Sequence, residues 1–160
     1  MSTTIELTKL LLEKKLTIGT AESCTGGKIA SMITAIPGSS NYFKGGIVAY
    51  SNEVKSSILG VSQSDLDNYG AVSEPVVRQM AEGAMRALKT DCAIATSGIA
   101  GPDGGSPEKP VGTVWIAVSY KEKTVSQKFQ FSGNREENIL LSAQTGVKML
   151  MELLEIRRKG

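Results

Sequence analysis

Histidine occurs nowhere in the 160 residues. That absence removes Ser-His-Asp and Cys-His catalysis and His-ligated zinc together, so any catalytic base must be a carboxylate, a lysine or a tyrosine. Aromatic residues are scarce, with three Phe, four Tyr and one Trp, and the formal net charge is only +2 with both signs spread along the chain. A nucleic-acid binder needs a concentrated basic footprint interleaved with stacking rings, so nucleic acid is not expected as a partner. No apolar run approaches the roughly 18 to 20 residues of a bilayer-spanning helix, which excludes a membrane partner of that kind. Cysteine is limited to Cys24 and Cys92, both in or beside apolar strand-like runs. The first residues, "MSTTIELTKLLLEKKL", read as a charged amphipathic helix rather than a signal peptide. The expectation is a cytoplasmic protein with reduced thiols. A chain of this length forms one domain, residues 1–160, that folds without disulfide or metal.

Helical and strand-like periods alternate through the first two-thirds. Leu7, Leu10, Leu11 and Leu12 give the first helix an apolar face, and "LTIGTA" follows as a buried strand. "GKIASMITAI" carries helical spacing and stops at Pro37-Gly38; "GGIVAYS" is a second strand and "NEVKSSILG" a short helix. A short helix, a turn at Tyr69-Gly70 and a longer helix come next, with Ser73, Glu74 and Pro75 as cap, acidic first turn and first-turn proline. "DCAIATS" is the third strand and runs into the Gly/Pro-rich "GIAGPDGGSPEKPVG"; "TVWIAVSY" and "TVSQKFQF" form a hairpin across "KEK", before a closing helix. The pattern predicts an α/β fold: one layered domain with a mixed β-sheet flanked by helices. Ligands of such sheets bind beyond the carboxyl ends of the strands. The Ser23–Gly27 turn, the Tyr50–Lys55 stretch and the Ser97–Gly105 loop would all emerge there.

"TAESCTGGKIAS" invites a phosphate-loop reading, but the first Walker glycine would fall at Glu22 and the hydroxyl position is Ile29. Gly26-Gly27 cannot supply a Rossmann fingerprint either. What remains is a strand end with Glu22, Ser23 and Thr25, then Gly26 and Gly27 opening a helix whose free N–H groups favour an anion. As a bare turn it is as readily structural as functional. A carboxylate at the end of a buried strand must be paired or used, and Lys28 or Lys55 could pair with Glu22. "YSNEVK" separates Tyr50 from Lys55 by five residues, which on one helix would put them on different faces, so the Tyr-x-x-x-Lys pair of short-chain dehydrogenases is rejected. If Tyr50 ends a strand and Lys55 starts the next helix, the two converge. Ser39 and Ser40 lie in a turn, where serines usually serve turn chemistry. With no histidine, however, a serine activated by a desolvated neutral lysine is the economical nucleophile. "SGIAGPDGG", holding Ser97, Gly98, Gly101, Asp103 and Gly104, begins directly at a buried strand and reads as a ligand loop rather than a plain connection. Arg135 in "SGNREEN" could fork onto a phosphate, although an arginine there is by default merely exposed.

Together "AESCTGG", "PGSSNYFKGGIVAYSNEVK", "YGAVSEPVV", "SGIAGPDGGSPEKPVGTVW" and "GNRE" form one ordered pattern. It resembles the CinA C-terminal domain family, the stand-alone nicotinamide mononucleotide deamidases, from about Thr17 to the last helix. The resemblance implies an amidohydrolase that converts nicotinamide mononucleotide to nicotinate mononucleotide and ammonia, in pyridine nucleotide recycling, through serine and lysine and without metal or other cofactor. It also implies a homodimer or larger homo-oligomer. The N-terminal nucleotide-processing domain of larger CinA proteins, and its activity, are not expected here. By motif, Ser40, Tyr50 and Lys55 match the family's serine, tyrosine and lysine. Ser40 is assigned as nucleophile, Lys55 as base and Tyr50 as the group that bridges or orients, with Ser23 as the rival serine or an oxyanion contact. Glu22, Thr25, Gly26, Gly27, the Ser97–Gly104 loop and Arg135 are expected to hold the substrate. The competing class is a non-catalytic nucleotide-sensing or protein-interaction module. A metal-dependent pyrophosphatase would need an acidic cluster, and the Asp and Glu residues show no ligand-like spacing. Ammonia release from nicotinamide mononucleotide should therefore continue in excess EDTA; loss of turnover restored by a divalent ion would contradict the serine–lysine reading.

Overall fold

A computed structural model describes residues 2–159, with side chains through Ile156. In chain order the elements are α1 (Thr3–Lys14), β1 (Ile18–Glu22), α2 (Lys28–Thr34), a 3-10 turn (Ser39–Asn41), β2 (Phe43–Val48), α3 (Asn52–Ser57), α4 (Gln63–Tyr69), α5 (Glu74–Leu88), β3 (Cys92–Gly98), β4 (Thr113–Tyr120), β5 (Lys123–Gln130) and α6 (Arg135–Lys159). The strands lie in the order β2-β1-β3-β4-β5, with β1 parallel to both β2 and β3, and antiparallel pairing across β3–β4 and β4–β5. This is the mixed sheet flanked by helices that the alternating periods predict.

The two faces of the sheet differ in side-chain size. Ile18, Cys92, Ile94 and Val118 face one way and join Leu7, Leu10 and Leu11 of α1, Ile29 and Ile33 of α2, and Val147, Leu150 and Leu154 of α6 in one core. The opposite face offers Ala21, Ala93, Ala95 and Ala117 to Val76, Val77, Met80, Ala81 and Ala84 of α5, with Leu59, Val61 and Leu66 closing the end. A Cβ built on Gly19 would lie 2.7 Å from a terminal methyl of Leu88, so a β1 side chain there would force the Leu88 side chain of α5 to move. Because strand side chains alternate, a single five-residue strand can offer a branched face to one layer and a bare face to the other.

Local chemistry explains most ends. Ser2 Oγ accepts from the N–H groups of Thr4 and Ile5 to start α1, and Lys15 closes it in the left-handed region at φ 58°. Leu12 departs from the predicted apolar stripe: it is 52% exposed, because a residue one step past Leu11 turns about 100° away from the core. Ser73 precedes α5 as expected but does not cap it with its side chain; Ser73 Oγ donates to the Gly70 carbonyl at 2.7 Å. The hairpin turn is Lys121-Glu122, since Lys123 already pairs with Tyr120, and Lys121 takes a positive φ of 54°.

Gly83 faces the Leu59 carbonyl so closely that a Cβ would overlap it. Helix propensity favours alanine over glycine by about 1 kcal/mol, but overpacking against fixed backbone costs about 1–3 kcal/mol and occasionally more. Gly83→Ala should therefore lower the urea midpoint rather than raise it; a more stable variant would show that α5 can slide away from Leu59.

Candidate active site

β1 and β2 are neighbours whose connections leave toward opposite faces, β1 into α2 and β2 into α3. A crevice opens where such connections diverge. It is a cavity of about 300 Å³ lined by Ser23 from the end of β1, Tyr50 and Lys55 from beyond β2, and the Ser97–Gly104 loop after β3.

The turn after β1 is built around Glu22, which is 1% exposed. Its Oε1 accepts from Thr25 Oγ1 at 2.6 Å and from the Ile29 N–H at 2.9 Å, and its Oε2 accepts from the Ala30 N–H at 3.0 Å. A carboxylate at the start of a helix is stabilised by the free N–H groups and the dipole there. Thr25 spends its proton on Glu22, so at 2.8 Å it accepts from Thr96 Oγ1, tying the turn to β3. Two expectations change here. Glu22 bonds to neither Lys28 nor Lys55, and the N-terminal groups of α2 expected to cradle a substrate anion are occupied by Glu22. Thr25 is buried, and neither it nor Gly26, Gly27 or Glu22 lines the cavity.

With the turn fixed, Ser23 points toward α3. Ser51 caps that short helix by accepting from the Val54 N–H, and Lys55 then extends inward, 1% exposed. Lys55 Nζ lies 3.0 Å from Ser23 Oγ and 2.8 Å from the Ala49 carbonyl. No carboxylate meets this amine among the described residues. Burial holds the Lys55 amine below its ordinary pKa of 10.5. The neighbouring Cys24 thiol would oppose that shift only as a thiolate, and burial pushes Cys24 up to about 11. At neutral pH it is a neutral wall atom rather than a nucleophile.

Ser40 is placed elsewhere. It sits exposed in the 3-10 turn before β2, while Lys55 follows the far end of that strand. Six strand residues at about 3.3 Å each put roughly 20 Å between the two ends. The convergence expected of Ser40 and Lys55 is therefore not observed. Tyr50 is at the cavity mouth, 63% exposed, and its hydroxyl accepts from Arg135 Nη2 at 3.3 Å rather than bridging serine and lysine. Arg135 also donates through Nη1 to the Gly101 carbonyl at 2.8 Å. Ser97 Oγ donates to the Ala71 carbonyl at 2.9 Å, which holds Ala71 and Val72 as one wall. Gly98, Gly101, Asp103 and Gly104 line the cavity as expected. Sequence reasoning did not single out Cys24, Asn52 or the Ala71-Val72 wall; the quoted "YGAVSEPVV" stretch contained the signal for the wall.

Fold and cavity define an α/β domain with a buried serine–lysine pair at the carboxyl edge of its parallel strands. The CinA C-terminal domain profile matches residues 2–154. The chain belongs to the CinA family. It is 50% identical over 151 residues to a CinA-like protein of Leptospira borgpetersenii serovar Hardjo-bovis, covering 94% of this chain and 36% of that one. A CinA-like protein of Endomicrobium trichonymphae is 50% identical over 146 residues, covering 91% and 34%. The chain thus spans about a third of the length of the curated relatives it matches. Among solved structures, a competence-damaged protein (CinA) superfamily protein of Klebsiella pneumoniae superposes with a TM-score of 0.92 at 33% identity, covering 96% of both chains. The competence/damage inducible protein CihA of Agrobacterium tumefaciens gives 0.89 at 38% identity, again over 96% of both.

Removing the Glu22 carboxylate leaves two helix N–H groups and a buried hydroxyl without their acceptor. Each unmade bond of that kind costs about 1–3 kcal/mol. Glu22→Ala should lose about 3 kcal/mol in urea denaturation; a loss under 1 kcal/mol would mean that water replaces the cap.

Proposed function

We propose that the protein is an amidohydrolase of the serine–lysine type, acting on the carboxamide of a pyridine mononucleotide and releasing ammonia. The observation that carries this reading is the 3.0 Å approach of Lys55 Nζ to Ser23 Oγ at the floor of the cavity. The nucleophile is accordingly Ser23, and Ser40 has no part in the chemistry.

A neutral lysine amine has two N–H bonds and one lone pair. The Ala49 carbonyl takes one N–H, which helps turn the lone pair toward the Ser23 hydroxyl. Lys55 removes that proton as Ser23 Oγ attacks the amide carbon, and the lysine is then an ammonium. The N–H of Cys24, directly after the nucleophile, is assigned as the main-chain donor to the oxyanion, by analogy with nucleophiles whose following residue supplies that donor. Collapse of the tetrahedral intermediate breaks the C–N bond, with Lys55 returning its proton to the departing ammonia. The neutral amine then activates water to clear the acyl-enzyme, leaving the carboxylate product and free Ser23. The cavity of about 300 Å³ suits a mononucleotide, with the apolar wall of Val72 and Ile99 available to a pyridine ring and Arg135 to a phosphate.

Three variants test the assignment through ammonia release from nicotinamide mononucleotide. Ser23→Ala should give no release and no acyl adduct by mass spectrometry, whereas Ser40→Ala should behave as wild type. Because Lys55 acts as a neutral base, kcat/KM should rise with pH until it passes the depressed lysine pKa, falling tenfold per unit below it. Lys55→Met should lose that limb along with most turnover. Adduct formation on Ser40, or an unaltered profile in Lys55→Met, would overturn the Ser23–Lys55 mechanism. A wild-type protein that binds the nucleotide but releases no ammonia would favour a sensing module.

A further inference from the structure

The first turn of α6 presents Arg135 and Asn138, three residues apart and so on one side of the helix. They hold successive carbonyls of the cavity loop. Arg135 donates to Gly101, and Asn138 Nδ2 donates to Ala100 at 3.0 Å. Asn138 is 1% exposed and does not line the cavity. Its Nδ2 also donates to the Gly133 carbonyl at 3.0 Å, while its Oδ1 accepts from the Gly133 N–H at 3.0 Å. The amide therefore joins the loop after β3 to the turn before α6, with both N–H groups used. The same turn is closed by a reciprocal cap in which Glu137 N–H donates to Asn134 Oδ1 and Asn134 N–H donates to Glu137 Oε1, each at 2.9 Å.

A trans peptide is planar, with its C=O and N–H directed oppositely. Holding the Ala100 carbonyl toward Asn138 thus aims the Gly101 N–H away from α6. That N–H has no acceptor among the described residues, and the following peptide, at Pro102, has none to offer. Gly101 itself lines the cavity beside Arg135. We infer that Asn138 is a positioning residue that sets the Ala100–Gly101 peptide so that the Gly101 N–H and the Arg135 guanidinium together engage the phosphate of a mononucleotide substrate. This rests on the amidase reading for its substrate, but the binding role stands apart from turnover.

Asn138→Asp keeps the shape and replaces the two donors by acceptors facing carbonyls. With nicotinamide mononucleotide as substrate it should raise KM at least tenfold, leave kcat within about threefold and leave the acid limb set by Lys55 unmoved. In Arg135→Ala/Asn138→Asp the rise in KM should be smaller than the product of the single effects, because both side chains act through one loop. Unchanged KM, a fall in kcat alone, or fully multiplicative effects would overturn the proposal. Should Asn138→Asp not fold, the wild-type protein decides: its Gly101 amide resonance should shift and its hydrogen exchange slow on saturation with nicotinate mononucleotide. An amide unaffected by bound nucleotide refutes the positioning role. Ammonia release that fails while Gly101 is protected refutes only the amidase reading, and a protein that does not bind the nucleotide refutes both.

Discussion

The Glu22 carboxylate, buried against the first turn of α2, is the interaction on which the site depends. A charge so placed would be costly without compensation, and here two helix N–H groups and one hydroxyl supply it. The bonds fix the path of the chain from β1 into α2, and with it the direction of the residue between them. Ser23 is turned to the α3 side because Glu22 is turned to the α2 side, as strand alternation requires. Thr25, held by Glu22 and Thr96, ties the turn to β3, so the Ser23 backbone is anchored to the sheet on both sides.

The opposite half of the pair is prepared by burial rather than by a second charge. Lys55 has no acidic partner among the described residues; its contacts are a hydroxyl and a carbonyl. A salt bridge would favour the ammonium and remove the lone pair that a base needs, whereas desolvation favours the neutral amine. The acid that could have neutralised Lys55, Glu22, is instead committed to capping a helix. The two groups most expensive to bury thus have separate solutions, one charged and satisfied, the other held toward neutrality.

The packing of the layers contributes to the same end. Small residues on one face of the sheet let α5 sit close, and its N-terminal approach brings Ala71 and Val72 against Ser97 as a cavity wall. On the other face, α6 packs against branched strand side chains with Gly146 close over Ile94, and its first turn reaches over the strand ends to grip the loop after β3. A single sheet therefore carries the Ser23–Lys55 pair on one side and receives its loop clamp from the other.

Much of this was legible in the chain itself. The α/β alternation, the carboxyl-edge location and the loop from Ser97 to Gly104 follow from periods and turn residues, because these depend on local pattern and composition, whereas Lys55 was singled out by the family resemblance joined to the lack of histidine. Which serine lies against Lys55 did not follow. Ser40 is nearer to Lys55 in sequence, fifteen residues against thirty-two, yet β2 lies between Ser40 and Lys55 as an extended strand and separates them by its whole length. Ser23 reaches Lys55 only because β1 and β2 pair in parallel, Glu22 beside Val48, which brings their carboxyl ends to one edge. Likewise, a buried asparagine in a helical stretch carries no sequence mark of the carbonyl it will meet. The sequence determined which elements form and which side chains are available for chemistry; strand order and register, set by long-range pairing, decided which of them touch.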